Sequence, residues 1–296
     1  MLKRLLLTGL VSGAVAGGAL TLVHLTLVQP LIAKAEINEA KNNTLVARFS
    51  SSQVIGERNT HVSGHVPHPH EHNLPTHAEG QAVGTAQAEV EEKLGHTDLD
   101  HKASEHDHDA HSHDTGAWSP ENGLERSLYT LVANILTSIA FGFLLASGFI
   151  LRGGPISRIQ GLLWGGAGFL SFSFLPGLGL PAELPGSVAG ELFARQTWWL
   201  GTATLSAGGL ALLAFGKSTV WRAGGLLLLF LPHALGAPHP EAGMAGSSPP
   251  ELASHFVMVS LLSAAVMWSV LGLAAVYVYR WLSQYEPLII AEPHTT

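Results

Sequence analysis

Histidine is concentrated in one part of this sequence. Twelve of its seventeen histidines lie between His61 and His113, and many of them stand beside Asp or Glu. Imidazole is a natural ligand for cobalt, nickel, copper and zinc, and neighbouring carboxylates add affinity. We therefore predict that this segment binds a divalent metal ion. The predicted ligands form two groups, His61, His65, His68, His70 and His72, and then His106, His108, His111 and His113.

The composition around these histidines argues for capture rather than selection. Residues 61–117 are rich in His, Asp, Glu, Gly, Ala and Pro and contain few large apolar side chains. Such a segment buries too little surface to offset its ordering entropy, so we expect disorder without metal. A flexible chain imposes little geometry, and its affinity then follows the general order of the divalent metals. The alternative is a polar linker whose histidines have no role, which the high histidine content disfavours.

A second candidate site lies in two Pro- and Gly-rich loops between apolar segments. Both loops carry acidic and histidine side chains at or near the ends of predicted spans, which suits a mouth site for a divalent cation. The alternative is a pair of interfacial turns whose polar tips sit in water. The residues predicted to converge there are Glu183, His233, His239 and Glu241, with Glu191 nearby.

Two further histidines lie within or beside apolar segments. Ionisable groups at membrane depth are costly and are usually functional. His24 and His255 are therefore either ligands along an ion pathway or interfacial histidines that reach water, and both interpretations stand. Arg195 is interpreted as an interfacial anchor, since two tryptophans follow it closely, and it has Glu183 or Glu191 as a possible ionic partner.

The elements that carry these residues are predicted to be membrane helices. The chain is 47% hydrophobic and 12% charged, whereas soluble domains have about 25% charged residues. We predict an all-α integral membrane protein of about six transmembrane helices, or five if the short segment near residues 220–235 is re-entrant and ends on Pro232. The six apolar segments are Leu5–Val28, Leu128–Leu151, Ile159–Leu175, Thr197–Phe215, Val220–Leu235 and Leu252–Tyr279.

The first apolar segment begins like a secretion signal, and Ala33-Lys34-Ala35 resembles a cleavage site. Its apolar run is longer than the roughly 7–15 residues of a signal core, so we predict a retained helix. Small residues at every fourth position allow another helix to approach closely. This stripe consists of Gly9, Gly13 and Gly17, and His24 falls on the same face.

Basic residues near the segment ends predict the orientation. With six spans, Lys3 and Arg4 and most other basic loops fall on the cytoplasmic side, and the histidine-rich loop lies outside. The predicted organisation is a first helix over residues 1–28, an external loop over 29–126 with its histidine-rich part at 61–117, a membrane domain over 127–282 and a tail over 283–296. Residues 30–60 are expected to form helical structure near the membrane.

Two apolar segments share a pattern that indicates an internal repeat. Each begins with Arg-x-x-Gly-Leu-Leu, at Arg158 and at Arg222, and each ends with Phe-Leu-Pro before a Gly/Pro turn. Another apolar segment follows each of them. This arrangement suggests a duplicated pair of helices in parallel orientation, as many transporter folds show.

Several functional classes are excluded by what the sequence lacks. No basic stripe exists to neutralise phosphates, so nucleic acid is not an expected partner. The absence of cysteine excludes disulfides, cysteine-ligated zinc and iron–sulfur clusters. There is no phosphate-binding loop of the Gly-x4-Gly-Lys-Ser/Thr type and no nucleophile–base constellation. We therefore expect no enzyme activity and no permanently bound cofactor.

Several short motifs occur along most of the chain. They are Pro30–Ile32 with Ala35 and Glu36, the His/Asp repeats leading into Trp118–Arg126, then Pro176–Gly186, Arg195–Trp199 and Pro232–Pro240. In type and order these motifs resemble the CbtA family of probable cobalt transporter subunits, with Ala182 standing where a second proline is expected.

The resemblance implies cobalt uptake across a bacterial inner membrane, associated with cobalamin synthesis. It also implies a small one-span partner, CbtB, with its own histidine-rich end, and five spans rather than six. Three alternatives remain open: a nickel or zinc transporter, a membrane metal sensor or metallochaperone without transport activity, and a purely structural subunit of a larger importer.

Overall fold

A computed structural model describes residues 1–60, 120–240 and 246–284, with the backbone alone for residues 50–60. The chain divides into two compact units, Met1–Ser51 with Pro120–Thr296, and Ser52–Ser119. Nearly all of the second unit lies outside the described residues. Metal binding by the nine histidines named above and the disorder of residues 61–117 therefore stay predictions.

The described residues are helical and contain no β-strand, which confirms the predicted all-α class. A π-helical turn, His24–Val28, joins the first two helices into one continuous rod, and a second such turn, Leu170–Phe174, joins the fourth and fifth. The helices are α1 (Leu2–Val23), α2 (Gln29–Thr60), α3 (Leu124–Arg152), α4 (Arg158–Phe169), α5 (Leu175–Gly179), α6 (Leu192–Phe215), α7 (Thr219–Leu235) and α8 (Pro250–Gln284).

Five of the described helical segments are long and apolar enough to cross a membrane, and α7 is a shorter apolar helix of 17 residues. The first candidate span, Leu2–Phe49, has 48 residues, whereas about 20 suffice for a crossing. Residues 30–60, expected to be helical, are indeed helical, and α2 continues α1 well beyond the apolar part of the rod. The chain therefore passes from the first span into a long projecting helix without a loop.

The predicted glycine stripe of α1 packs against α3. A Cβ atom added at Gly13 or Gly17 would lie less than 3 Å from backbone atoms of Ile139 or Ile135, respectively. Ser12 and Thr21 on the same side of α1 are buried and donate to backbone carbonyls one turn earlier. The small side chains are thus required by the close approach of two helix backbones, as the stripe predicted.

The predicted repeat has a structural counterpart in two helix crossings. Gly161 of α4 packs on the carbonyl of Gly272 in α8, and Gly225 of α7 packs on the carbonyl of Gly209 in α6. The predicted repeat consists of α4 with α6 and of α7 with α8. The glycine of each Arg-x-x-Gly motif thus packs against a glycine in the second helix of the other repeat. Two helices related by a two-fold operation would make this exchanged pair of contacts.

The α7 helix ends at Leu235, where the predicted apolar segment ends, and Pro232 lies inside its last turn. Gly236 then ends it with a positive φ of 84°, a conformation that glycine adopts without strain. At the other end of the hairpin, Trp221 lies close to Gly216, the residue directly after α6. The α7 helix therefore runs antiparallel to α6 along most of its length.

Candidate functional site

The Pro- and Gly-rich loops lie together at one end of the bundle, which we call the loop end and define by residues 180–191, 236–240 and 246–249. The backbone N–H of Ser247 donates to the Gly186 carbonyl at 2.9 Å, and the Ser248 hydroxyl donates to the Pro185 carbonyl at 3.2 Å. Asn42 of α2 donates its side-chain amide to the Ser247 carbonyl at 3.2 Å. The projecting part of α2 is thus built into the loop end.

Two acidic side chains at the loop end already have partners. Arg195 donates to Glu183 at 2.7 Å, which confirms one of its two expected partners. Glu191 caps α6 instead, and its carboxylate accepts the backbone N–H groups of Ala194 and Phe193 at 2.6 and 2.8 Å. These hydrogen bonds lower the pKa of Glu191 below its ordinary value. Both carboxylates stabilise local structure. A metal ion that binds Glu183 must compete with the guanidinium of Arg195.

His233 has the most distinctive environment among the predicted ligands at the loop end. Its ring lies edge-on to Trp198, with centroids 6.0 Å apart. Its Nε2 atom is buried and has no hydrogen-bond partner among the described residues, and the same holds for the indole nitrogen of Trp198. A buried polar atom without a partner is costly and is rare in folded proteins. The imidazole of His233 therefore offers a ring nitrogen that no described residue uses.

The predicted four-residue mouth site is only partly visible. The backbone of His239 lies near Gly190, which places this exposed histidine beside the loop that follows Glu183. Within the described ranges, no three His, Asp or Glu side chains lie close enough together to hold a metal ion. Glu241 lies outside those ranges. Convergence of Glu183, His233, His239 and Glu241 therefore stays a prediction.

His24 points toward α3, as its position on the glycine face predicted. The side-chain nitrogen of Asn134 lies 3.2 Å from His24 Nδ1 and 3.2 Å from Thr21 Oγ1. The Thr21 hydroxyl donates its only proton to the Gly17 carbonyl, so it accepts from Asn134. The same NH2 group then donates to His24 Nδ1, and the neutral ring carries its proton on Nε2. To bind a metal, His24 must give up one of these bonds or that proton.

The π-helical turn at His24–Val28 begins at this histidine. Such turns occur mostly as single turns inside α-helices and are frequent at functional sites. Asn134 was not among the predicted site residues, although a lone amide within an apolar segment is a usable signal. Its partner was not visible in the sequence, since the two residues come from different helices.

His255 lines a groove at the loop end, between α2 and the first turns of α8. The groove has a volume of about 530 Å³ and also contains Lys34, Asn38, Lys41 and Glu251. His255 is exposed in this groove. One wall of the groove is α2, which continues α1. The predicted organisation ended the first helix at residue 28 and therefore did not indicate the groove.

The fold and these sites define a helical membrane protein with a histidine-rich segment inserted between α2 and α3. The sequence profile of the family described as "probable cobalt transporter subunit (CbtA)" matches residues 2–280. The match covers nearly the whole chain, and the protein belongs to this family. No curated protein and no solved structure matched the chain.

Proposed function

We propose that this protein is the cobalt-uptake subunit of a bacterial inner-membrane transporter, in which the histidine-rich segment collects the ion outside. The observation that carries the proposal is the family match over residues 2–280. The concentration of twelve histidines between His61 and His113 supports a role for a metal ion independently of that match.

The orientation follows from the distribution of basic residues over the helix ends. Lys3 and Arg4 begin α1, and the turns between α3 and α4 and between α6 and α7 are also basic. All of these positions lie at the end of the bundle opposite the loop end. By the positive-inside rule they face the cytoplasm. The loop end and the histidine-rich segment then face outward, where Arg126 and Arg195 are each paired with a glutamate.

The two candidate sites differ in a way that suits capture at one and selection at the other. The histidine-rich segment has many ligands at irregular spacing, which suits capture of a dilute ion with little discrimination. His233 packs against Trp198 near the loop end and keeps a ring nitrogen that accepts or donates no hydrogen bond among the described residues. We assign selection to this second region, with His239, Glu183 and Glu241 as further ligands once an ion has arrived. His24, half-buried between α1 and α3, is a further candidate ligand.

The family description names a subunit, so the transporter includes at least one other polypeptide. We take this partner to be a CbtB-like protein with a single membrane span and its own histidine-rich end, as the family resemblance implies. The transported ion is cargo, and no permanently bound cofactor enters the proposal.

Cobalt entry into right-side-out membrane vesicles tests the proposal. Vesicles containing the wild-type protein and its partner should accumulate cobalt, and the double variant His233→Ala/His239→Ala should abolish accumulation. His255→Ala is the matched control, because that histidine is exposed in a separate groove at the same end. Uptake that the double variant leaves unchanged would exclude the mouth site.

The same vesicles separate the alternative functions. A metal sensor or metallochaperone would bind cobalt without any entry into the vesicles. A nickel or zinc transporter would show entry of that ion, with cobalt competing poorly at equal concentration. A purely structural subunit of a larger importer would give no cobalt entry in vesicles that lack its partner.

A further inference from the structure

The inner face of α6 carries three polar side chains whose hydrogen-bonding atoms have no partner among the described residues. They are Trp198, Thr202 and Ser206, each four positions after the last, so they lie on one face of the helix. Thr202 is 1% exposed and Ser206 is 0% exposed. We call these three residues the α6 row. It begins beside His233 and extends about 12 Å away from the loop end, at about 1.5 Å per residue.

The two hydroxyls of the α6 row differ from other hydroxyls in the membrane domain. A serine or threonine in a helix often donates to the carbonyl one turn earlier. Thr204 donates in this way to Leu200 at 2.8 Å, and Ser269 of α8 donates to Ala265 at 2.7 Å. Buried polar atoms without a partner are costly, and such atoms in a native structure indicate a bound water or ion. The α6 row therefore points to a polar occupant beside the helix.

The α6 row has no counterpart in the second helix of the other repeat. The α6 and α8 helices share the motif Ser-x-x-Gly-Leu-Ala, which begins at Ser206 and at Ser269. In this register, Ala265 stands in place of Thr202, and Leu261 stands in place of the tryptophan. Ser269 itself is exposed and bonded within its own helix. A helix with the same glycine crossing thus packs without a polar row, so the row is not a requirement of the fold.

The neighbouring helix α7 supplies acceptor groups at the level of the α6 row. Pro232 is buried and has no N–H group, so the Leu228 carbonyl lacks the donor that position 232 of a helix otherwise provides. Leu228 lies near the deep end of the row, since its side chain is 3.9 Å from an added Cβ at Gly208. At the other end, the Nε2 atom of His233 has no described partner. Backbone groups freed by proline in membrane helices bond to hydroxyl side chains or to ordered water.

The contacts at the two ends of the α6 row give it a direction. An added Cβ at either Gly209 or Gly225 would lie 2.7 Å from the carbonyl oxygen of the other, so the two backbones touch just beyond Ser206 and leave no room between them. At the loop end, the positive charge of Arg195 is paired with Glu183 at 2.7 Å, which weakens its repulsion of a cation. The row therefore extends from the loop end to a closed helix crossing.

We propose that the α6 row and His233 line an internal path for a partly hydrated divalent cation, which leads from the loop end to the crossing of α6 and α7. The ring nitrogen of His233 and the hydroxyl oxygens of Thr202 and Ser206 bind such an ion or its water molecules. The indole N–H of Trp198 only donates, so it bonds to a water oxygen. The inference rests on the proposed function for the nature of the ion, and it adds two hydroxyls that lie deeper than the loop end.

Fluorine NMR of the full chain in detergent, with its seven tryptophans replaced by 5-fluorotryptophan, tests the path during titration with cobalt(II) chloride. Cobalt(II) is paramagnetic and broadens signals close to it, so the Trp198 signal, assigned with Trp198→Phe, reports local binding. We expect it to broaden at lower cobalt concentration than the signal of Trp221 at the opposite end of the bundle. The variant Thr202→Val/Ser206→Ala should need at least tenfold more cobalt for the same broadening, whereas Thr202→Ser should titrate like the wild type.

The matched control is Thr204→Val/Ser269→Ala, which makes the same two chemical changes at hydroxyls that are bonded within their own helices. It should leave the cobalt titration unchanged. Without metal, Thr202→Val/Ser206→Ala should unfold at no lower temperature than the wild type, because no hydrogen bond between described residues is lost. An unchanged titration for that variant, an equal shift in the control, or no preferential broadening of Trp198 overturns the proposal. Cobalt entry is not scored, so a failure of the path and a failure of the proposed transport are distinguishable.

Discussion

The guanidinium of Arg126 on α3 donates two hydrogen bonds to the carboxylate of Glu36 on α2, at 2.6 and 3.2 Å. Arg126 lies at the start of α3, two residues after Leu124, and Glu36 lies on the rod that leads into the histidine-rich segment. The two-pronged contact therefore joins the helices on either side of that segment in the sequence.

Breaking the contact between Glu36 and Arg126 should lower the stability of the protein. Both side chains are about one third exposed, so the ion pair contributes about 1 kcal/mol at most. We expect Glu36→Gln and Arg126→Lys to lower the unfolding temperature in detergent by a few degrees, since lysine cannot make the two-pronged contact. The charge-swapped pair Glu36→Arg/Arg126→Glu should recover part of the loss. No recovery would show that the two side chains act independently.

Two glycines of α1 should respond to the same substitution with opposite signs. Gly13→Ala places a methyl group against the backbone at Ile139, and such overpacking costs about 1–3 kcal/mol. Gly18→Ala adds a methyl group in open space, where alanine favours a helix by about 1 kcal/mol over glycine. Thermal unfolding should therefore show destabilisation by the first change and a small stabilisation by the second. Equal effects would contradict the contact between α1 and α3.

The bonding of His24 predicts its tautomer. In the wild type, Asn134 donates to Nδ1, so nitrogen NMR should place the ring proton of the neutral form on Nε2. Asn134→Asp replaces the donor by an acceptor, which should move the proton to Nδ1 and free Nε2 as a metal ligand. His24→Gln assigns the signal among the seventeen histidines. A proton on Nδ1 in the wild type would contradict the proposed network.

Glu191 should make the stability of α6 depend on pH. Its pKa is lowered by the backbone N–H groups of Ala194 and Phe193. The folded state therefore favours the ionised form of the side chain more than the unfolded state does. A group with a lowered pKa stabilises the fold above its unfolded pKa, and the stabilisation disappears as pH falls through the folded value. The wild type should unfold at a higher temperature than Glu191→Gln at pH 7. This difference should shrink below about pH 4.5, the ordinary value for a glutamate, and a constant difference would contradict the charge effect.

Much of this fold was predictable because membrane helices are specified by local composition. The apolar segments, the glycine stripe and the Arg-x-x-Gly repeat each depend on residues that are close in sequence. The end of α7 at Leu235 follows from the predicted apolar segment Val220–Leu235, although Pro232 within it suggested a re-entrant segment. A proline in the last turn of a helix, here Pro232, interrupts little, and the chain continues to Leu235.

The candidate site was less predictable because its members come from different helices. The contact between Asn134 and His24 and the groove between α2 and α8 require knowledge of which helices are neighbours. Pairing of Arg195 with Glu183 was one of two alternatives in the sequence, and geometry chose between them because Glu191 caps α6. Residue type indicated a metal ion, whereas only the tertiary contacts show which side chains remain available to bind one.

The dependence of cobalt uptake on external cobalt concentration tests the central claim most directly. It should be measured in cells that contain the partner subunit, for the wild type and for a variant in which the twelve histidines from His61 to His113 are replaced by asparagine at unchanged length. We predict saturable uptake that is lost on deletion of the gene. In the asparagine variant, the half-saturating concentration should rise at least tenfold while the maximal rate is retained. An identical concentration dependence for the two proteins would contradict capture by the histidine-rich segment, and uptake unaffected by deletion would contradict transport.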